Sequence, residues 1–166
     1  MKRILVIDDE PNVRTVLKML LEDDGYEVET AENGEKGIAA FDQGELDLVI
    51  SDLKMPRSDG LAVLKRVKES GRGVPLIMIT AYGSIEKAVE AMKNGASDFI
   101  TKPFNKDVIR HVVHKMLRSD DLRRENELLR QACGAPGIIA CSAAMREVLA
   151  LVEKVAGAPS AILILG

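Results

Sequence analysis

Tryptophan is absent from this 166-residue sequence, and two tyrosines and three phenylalanines are its only aromatic side chains. A core built from it must be aliphatic, and a hydrophobic content of 46% is ample for one. Cysteine is scarce too: Cys133 and Cys141 stand without a CxxC pair or repeated spacing. That argues against a disulfide framework or a zinc site and makes a reducing cytoplasm the expected setting. Neither sign of charge dominates, with 26 acidic residues against 23 basic and a net charge of −3. Such a balance argues against a basic nucleic-acid coat and a polyacidic tail, so no direct nucleic-acid partner is expected. Long apolar runs are missing as well. The basic start Met1-Lys2-Arg3 leads into Ile4-Leu5-Val6-Ile7, but Asp8-Asp9-Glu10 ends that run too early for a signal peptide or membrane span.

What the chain does contain is an alternation of short apolar runs with helical patterns. Ile4 to Ile7 reads as a strand buried on both faces, and Val13, Val16, Leu17, Leu20 and Leu21 follow at helical spacing until Gly25. Tyr26, Val28 and Thr30 alternate with acids as in a more exposed strand, and a helix over 34–43 turns Ile38 and Phe41 inward. Leu46 to Asp52 is the third strand, and Leu61, Leu64 and Val67 stripe the third helix. Leu76 to Thr80 is the fourth strand, with Ser84 as cap of a helix carrying Ile85, Ala88, Val89 and Met92. Phe99 and Ile100 form a fifth strand running into Lys102-Pro103, and Asn105 caps the helix of Val108, Ile109, Val112, Val113 and Met116. Five strand–helix repeats predict a parallel sheet with right-handed crossovers and helices on both faces. Ligands of such sheets bind at the carboxyl ends of the strands.

Beyond Val113 the pattern changes. Neither Pro nor Gly occurs from Asn105 to Cys133, so one helix can run on for about 40 Å. Its distal half is charged, and Leu122, Asn126 and Leu129 sit at coiled-coil spacing, an Asn between two Leu being a register-setting arrangement. Arg118, Arg123, Arg124 and Arg130 alternate with Asp120, Asp121, Glu125 and Glu127, which reads as a salt-bridged helix face. Gly134-Ala135-Pro136-Gly137 ends the helix, after which Met145, Val148, Leu149 and Val152 pattern a short helix and Ala161 to Leu165 a last strand. His111 and His114 share a helix face and read as solvated residues rather than a metal pair.

Chemistry concentrates where the strands end. Asp8, Asp9, Asp52, Thr80 and Lys102 each follow an apolar run, so the topology gathers them on one sheet edge. Converging carboxylates repel by roughly 4 kcal/mol per pair at 4 Å and an effective dielectric near 20. Lys102 offsets part of that, and a hard divalent cation, Mg2+, suits the remainder. A carboxylate beside such an ion, with a hydroxyl and an ammonium aimed at the same point, is equipped to accept a phosphoryl group. Taken singly, Asp8 and Asp9 read as helix caps, Asp52 as a turn former and Lys102 as a solvated cation. It is their combination that points to a site.

Asp8-Asp9, Asp52 with Met55-Pro56 and Gly60, Thr80-Ala81, and Lys102-Pro103-Phe104 together resemble the receiver domain of two-component response regulators, over residues 1 to about 118. The resemblance implies a flavodoxin-like (CheY-like) doubly wound five-stranded parallel sheet in the order 2-1-3-4-5, followed by a helical linker. It implies that Asp52 accepts the phosphoryl group from a sensor histidine kinase. Asp9, Asp52 and the backbone carbonyl of Lys54 would hold Mg2+, with Asp8 doing so directly or through water. Lys102 would bond the phosphoryl group, while Thr80, Ala81 and Phe99 occupy the switch positions. Phe99 stands where the family more often has Tyr, so packing rather than a hydroxyl would mark the switched state. Tyr82 sits where the family tunes the lifetime of the phosphorylated state. The protein would catalyse only its own phosphorylation and dephosphorylation.

The tail Ile138-Ile139-Ala140-Cys141-Ser142, Met145, Val148, Val155-Ala156 and the run to Gly166 resembles the opening of the central AAA+ ATPase domain of NtrC-like, sigma-N-dependent activators. The expected division is a receiver over 1–118, a coiled-coil linker over 119–135 and the start of an AAA+ domain, before its phosphate-binding loop, over 136–166. This reads as a regulatory fragment of a longer regulator that carries further AAA+ and DNA-binding domains. A homodimer is expected through the linker helix, with the receiver as a second candidate contact. The alternative is a haloacid-dehalogenase-type phosphatase, which also uses an aspartyl nucleophile. That family places its second Asp two positions after the first, after the first strand, whereas Glu10 stands two after Asp8 and Asp52 ends the third strand.

Overall fold

The computed structural model describes residues 1–55, 60–81, 85–132 and 142–155, with side chains throughout except at 85–88, 123–132 and 153–155. The chain divides into two units, Met1–Asp120 and Asp121–Gly166. The first is a five-stranded sheet in the order β2-β1-β3-β4-β5, every neighbouring pair parallel. Its elements run β1 (Arg3–Ile7), α1 (Pro11–Asp23), β2 (Glu27–Ala31), α2 (Gly34–Gln43), β3 (Leu48–Asp52), α3 (Gly60–Glu69), β4 (Leu76–Ala81), α4 (Ile85–Lys93), β5 (Asp98–Lys102) and the part up to Asp120 of α5 (Lys106–Ala132).

Strand periodicity builds two separate cores. Side chains alternate between faces along a strand, so Leu5 and Ile7 of β1 enter one core and Ile4 and Val6 the other. On the first face, Phe41 of α2, Val63, Leu64 and Val67 of α3 and Ala91 of α4 close over Val49, Leu76 and Met78. On the second, Leu17, Leu20 and Leu21 of α1 and Ile109, Val113 and Leu117 of α5 cover Leu48, Ile50, Ile77 and Ile79. Each fully buried large aliphatic side chain contributes about 1.5–3 kcal/mol, which is how a core nearly free of aromatics suffices.

Local signals set the boundaries. Pro11 opens α1, where its missing N–H has no partner to lose, and Gly25 takes a left-handed φ of 86° just beyond the helix end. Asn33 caps α2 by accepting the Lys36 N–H, and Asn105 accepts the Asp107 N–H as α5 begins. The third strand starts at Leu48, two residues later than its apolar run, and just before it the Asp47 carboxylate accepts the Arg3 N–H at 2.9 Å. The fifth strand is longer than its apolar pair, because pairing with β4 carries the ladder from Asp98 to Lys102.

α5 has the uninterrupted length expected of it, and in the second unit α6 spans Ala143–Val155. Met145, Val148, Leu151 and Val152 are exposed on α6, and Leu122 is exposed on α5. The expectations for Pro56, Tyr82, Ser84, Cys133, 134–141 and 156–166, and for the Asn126 and Leu129 side chains, lie outside the described residues. No helix among the described residues is long and apolar enough to cross a membrane.

Candidate functional site

The parallel topology carries the ends of β1, β3, β4 and β5 to one edge, and there the polar residues converge. Asp52 ends β3 opposite Ile79, and Lys102 ends β5 opposite Ala81, so one strand separates the carboxylate from the ammonium. The Lys102 Nζ donates to Asp52 Oδ2 at 2.6 Å, to Asp8 Oδ2 at 3.0 Å and to Glu10 Oε1 at 3.0 Å. Asp8 is fully buried and Asp52 nearly so, while the Glu10 side chain lies open to solvent.

Backbone donors complete the carboxylates. Asp8 Oδ1 accepts the Glu10 N–H at 2.8 Å, and Asp52 Oδ1 accepts the Lys54 N–H at 3.0 Å. Asp52 thus does form the turn that its residue type suggests, while its second oxygen meets Lys102. α1 receives no side-chain cap, its N-cap residue being Glu10, so Asp8 is committed to the cluster and not to the helix.

Burial raises the Asp8 pKa, because desolvation disfavours the charged form more than Lys102 and the Glu10 N–H favour it. Burial also pulls the Lys102 ammonium down, but its bonds to Asp52, Asp8 and Glu10 outweigh that and hold it above the ordinary lysine range. The three carboxylates bonded to Lys102 exceed its charge by two. That is the charge of one divalent cation.

The donor set fits such an ion. One oxygen from each of Asp8, Glu10 and Asp52 lies within 4.8 Å of the others, little more than the about 4.2 Å between opposite ligands of one magnesium. All three are hard carboxylate oxygens, the type magnesium prefers. The half-buried Asp9 is not a member of that trio; its backbone carbonyl accepts from Arg14 Nη1 at 3.0 Å. Glu10 is the member the sequence pattern does not single out, and its only signal is its place directly after the acidic pair.

Thr80 is buried at the end of β4, one residue past the register partner of Asp52, and its hydroxyl faces the Ala81 carbonyl at 3.5 Å. Ala81 is exposed, and Phe99, on β5 beside Met78, is 36% exposed. Lys54 is exposed next to Asp52. Gly60 has a role that its place in the motif does not explain: a Cβ there would overlap the Asp52 carbonyl oxygen and come within 3.0 Å of Leu53 Cα. His111 and His114 are both exposed on α5, away from this edge, with His114 Nδ1 3.1 Å from the Tyr26 hydroxyl.

Comparison with known proteins agrees with this geometry. The family model described as "Response regulator receiver domain" matches residues 4–114. The regulatory protein AtoC of Escherichia coli is 34% identical over 99% of this chain, which covers 36% of AtoC. The nitrogen assimilation regulatory protein NtrX of Azorhizobium caulinodans is 36% identical over 98% of the chain and 36% of its own length. Among solved structures, NtrX from Brucella abortus aligns with a TM-score of 0.77 at 37% identity, covering 98% of this chain and 36% of that one. A receiver domain protein from Clostridium thermocellum aligns at 0.70 and 33% identity, covering 74% of this chain and 98% of that one. The chain therefore spans about a third of the length of the curated regulators it matches. The phosphatase alternative finds no support: the matching family is a receiver, and Glu10 stands two residues after Asp8 where that alternative needs a second Asp. With Asp8, Asp52 and Lys102 joined at the sheet edge and the family model covering this whole unit's sheet, the chain belongs to the response regulator receiver domain family, with NtrC-like regulators among its relatives.

Proposed function

We propose that Asp52 is the phosphoryl acceptor of this receiver, that a sensor histidine kinase is the donor, and that the reaction requires Mg2+. The observation that carries the reading is the 2.6 Å bond from Lys102 to Asp52, in a cluster whose other carboxylates leave room for a divalent charge. Asp8, Asp9, Asp52 and the Lys54 carbonyl would hold the ion, with Glu10 a further carboxylate at hand. When bound, the ion supplies charge neutralisation for the incoming phosphoryl oxygens.

A carboxylate oxygen of Asp52 attacks phosphorus as the bond to the donor's imidazole nitrogen breaks, and the imidazole leaves with the bonding pair. Lys102 screens the phosphoryl charge from the side of β5. The product adds about −1.5 to −2 of charge and three acceptor oxygens beside Thr80. The Thr80 hydroxyl turns to bond one of them, and Phe99, half in solvent, moves into the space it leaves, altering the surface around α4 and β5. Ala81, directly after Thr80 and the register partner of Lys102, offers a site for the phosphoryl group without steric hindrance.

The receiver occupies 1–118, the linker 119–135, and 136–166 begins an AAA+ domain. In the full-length regulator this switch would control that ATPase and a DNA-binding domain. Leu122, Asn126 and Leu129 on α5 form the seam of a homodimer. The direct test is labelling by a small phosphodonor with Mg2+ present. Wild type takes up one phosphoryl group and Asp52→Asn takes up none; undiminished labelling of the variant would overturn the assignment.

A further inference from the structure

Arg14, in the first full turn of α1, ties down the loop that carries the acidic cluster. Its Nη1 donates to the Asp8 carbonyl at 2.6 Å and to the Asp9 carbonyl at 3.0 Å, while its own N–H bonds the Glu10 carbonyl at 3.1 Å. The peptide linking Asp9 to Glu10 is thereby gripped from both ends. Arg14 holds its carbonyl, and Asp8 Oδ1 holds its N–H on the opposite side at 2.8 Å. A planar trans peptide held at both ends cannot rotate without breaking one bond.

That grip acts on the metal site through Asp8. With the peptide fixed, Asp8 Oδ1 is occupied and its Oδ2 is left facing Lys102 and Asp52. Freed, the peptide would let the Asp8 carboxylate turn and separate the three oxygens that now lie within 4.8 Å. We infer that Arg14 is a positioning residue for Mg2+: its guanidinium orients the Asp8–Asp9–Glu10 loop so that the carboxylates meet the ion preorganised. The inference rests on the magnesium reading above.

The sign of the effect separates positioning from simple electrostatics. As a nearby cation, Arg14 repels the ion, so removing its charge would tighten binding. As an orienting group, its removal weakens binding, and outer-shell partners of metal ligands typically count for 10–100-fold in affinity. Arg14→Met keeps the stem and a good helix former while deleting the donors, and Arg14→Lys keeps a cationic donor.

The experiment is calorimetric titration of the whole chain with MgCl2, with amide exchange of Glu10 followed in chelator as a metal-free readout. The expected results are a magnesium Kd raised about tenfold or more in Arg14→Met, recovery to within about threefold in Arg14→Lys, and about tenfold faster Glu10 exchange in Arg14→Met. Magnesium binding by Arg14→Met as tight as wild type, or tighter, would overturn the inference while leaving the magnesium reading intact. Failure of wild type itself to bind magnesium would instead overturn that reading. Unchanged Glu10 exchange would also overturn the positioning role.

Discussion

Lys102 and Asp52 are 50 residues apart in sequence, yet the ammonium of one lies 2.6 Å from the carboxylate of the other. They end β5 and β3, and β4 runs between them. Asp8, from the end of β1, meets the same ammonium from the other side at 3.0 Å. The sheet order alone produces this meeting, since each strand delivers its last residue to a common edge.

Deleting that ammonium leaves two buried carboxylates facing each other. Lys102→Met is therefore expected to destabilise the protein by about 3 kcal/mol at neutral pH in chelator, read by urea unfolding. The folded-state pKa of Lys102 is raised above its ordinary 10.5, so its stabilisation is fully present below that value. It is lost as pH rises through the higher folded value. The gap between wild type and variant should thus stay constant across neutral pH and narrow only above about 10.5.

Asp8 has the opposite sign. Its pKa is raised from 3.8 by burial, so ionising it costs stability at neutral pH, and that cost vanishes once both folded and unfolded states are protonated. In chelator, Asp8→Asn should be more stable than wild type at pH 7. The advantage should shrink as pH falls toward 3.8 and below. Thermal unfolding across that range checks it; a variant less stable than wild type at neutral pH would contradict the assignment of burial as the dominant influence.

Gly60 is required by space and not by backbone torsion. An alanine there drives its methyl into the Asp52 carbonyl oxygen and against Leu53, both backbone that is held in β3 and its exit. Gly60→Ala should cost about 1–3 kcal/mol and slow phosphoryl labelling of Asp52. Gly25→Ala makes the useful contrast. It meets nothing within 4 Å but takes a φ of 86°, so it should lower stability by about 1–2 kcal/mol with labelling unchanged.

The proposed linker seam has its own test. Leu122 is 60% exposed on α5. Leu122→Asp combined with Leu129→Asp should convert a dimer into monomers in sedimentation, with Asp52 labelling retained. An unchanged oligomer would remove the seam from consideration.

The elements were readable from the sequence because helix and strand periods are local. Apolar runs placed each strand of the sheet within two residues or so, and Gly25, Asn105 and the span free of Pro and Gly after it marked helix ends and the long α5. The same strand ends named Asp8, Asp9, Asp52, Thr80 and Lys102, because a residue that follows a buried parallel strand has only one edge to reach. Tertiary structure alone decided which of the acids share one ammonium. Glu10 joins Asp8 and Asp52 in the oxygen trio and Asp9 does not, a distinction set by how Arg14 and the Glu10 N–H turn the loop. Gly60 likewise gains its reason only from the Asp52 backbone beside it. Residue types and periodicity act over a few positions, whereas side-chain orientation at a strand end depends on bonds from elements far along the chain, and no local pattern encodes those.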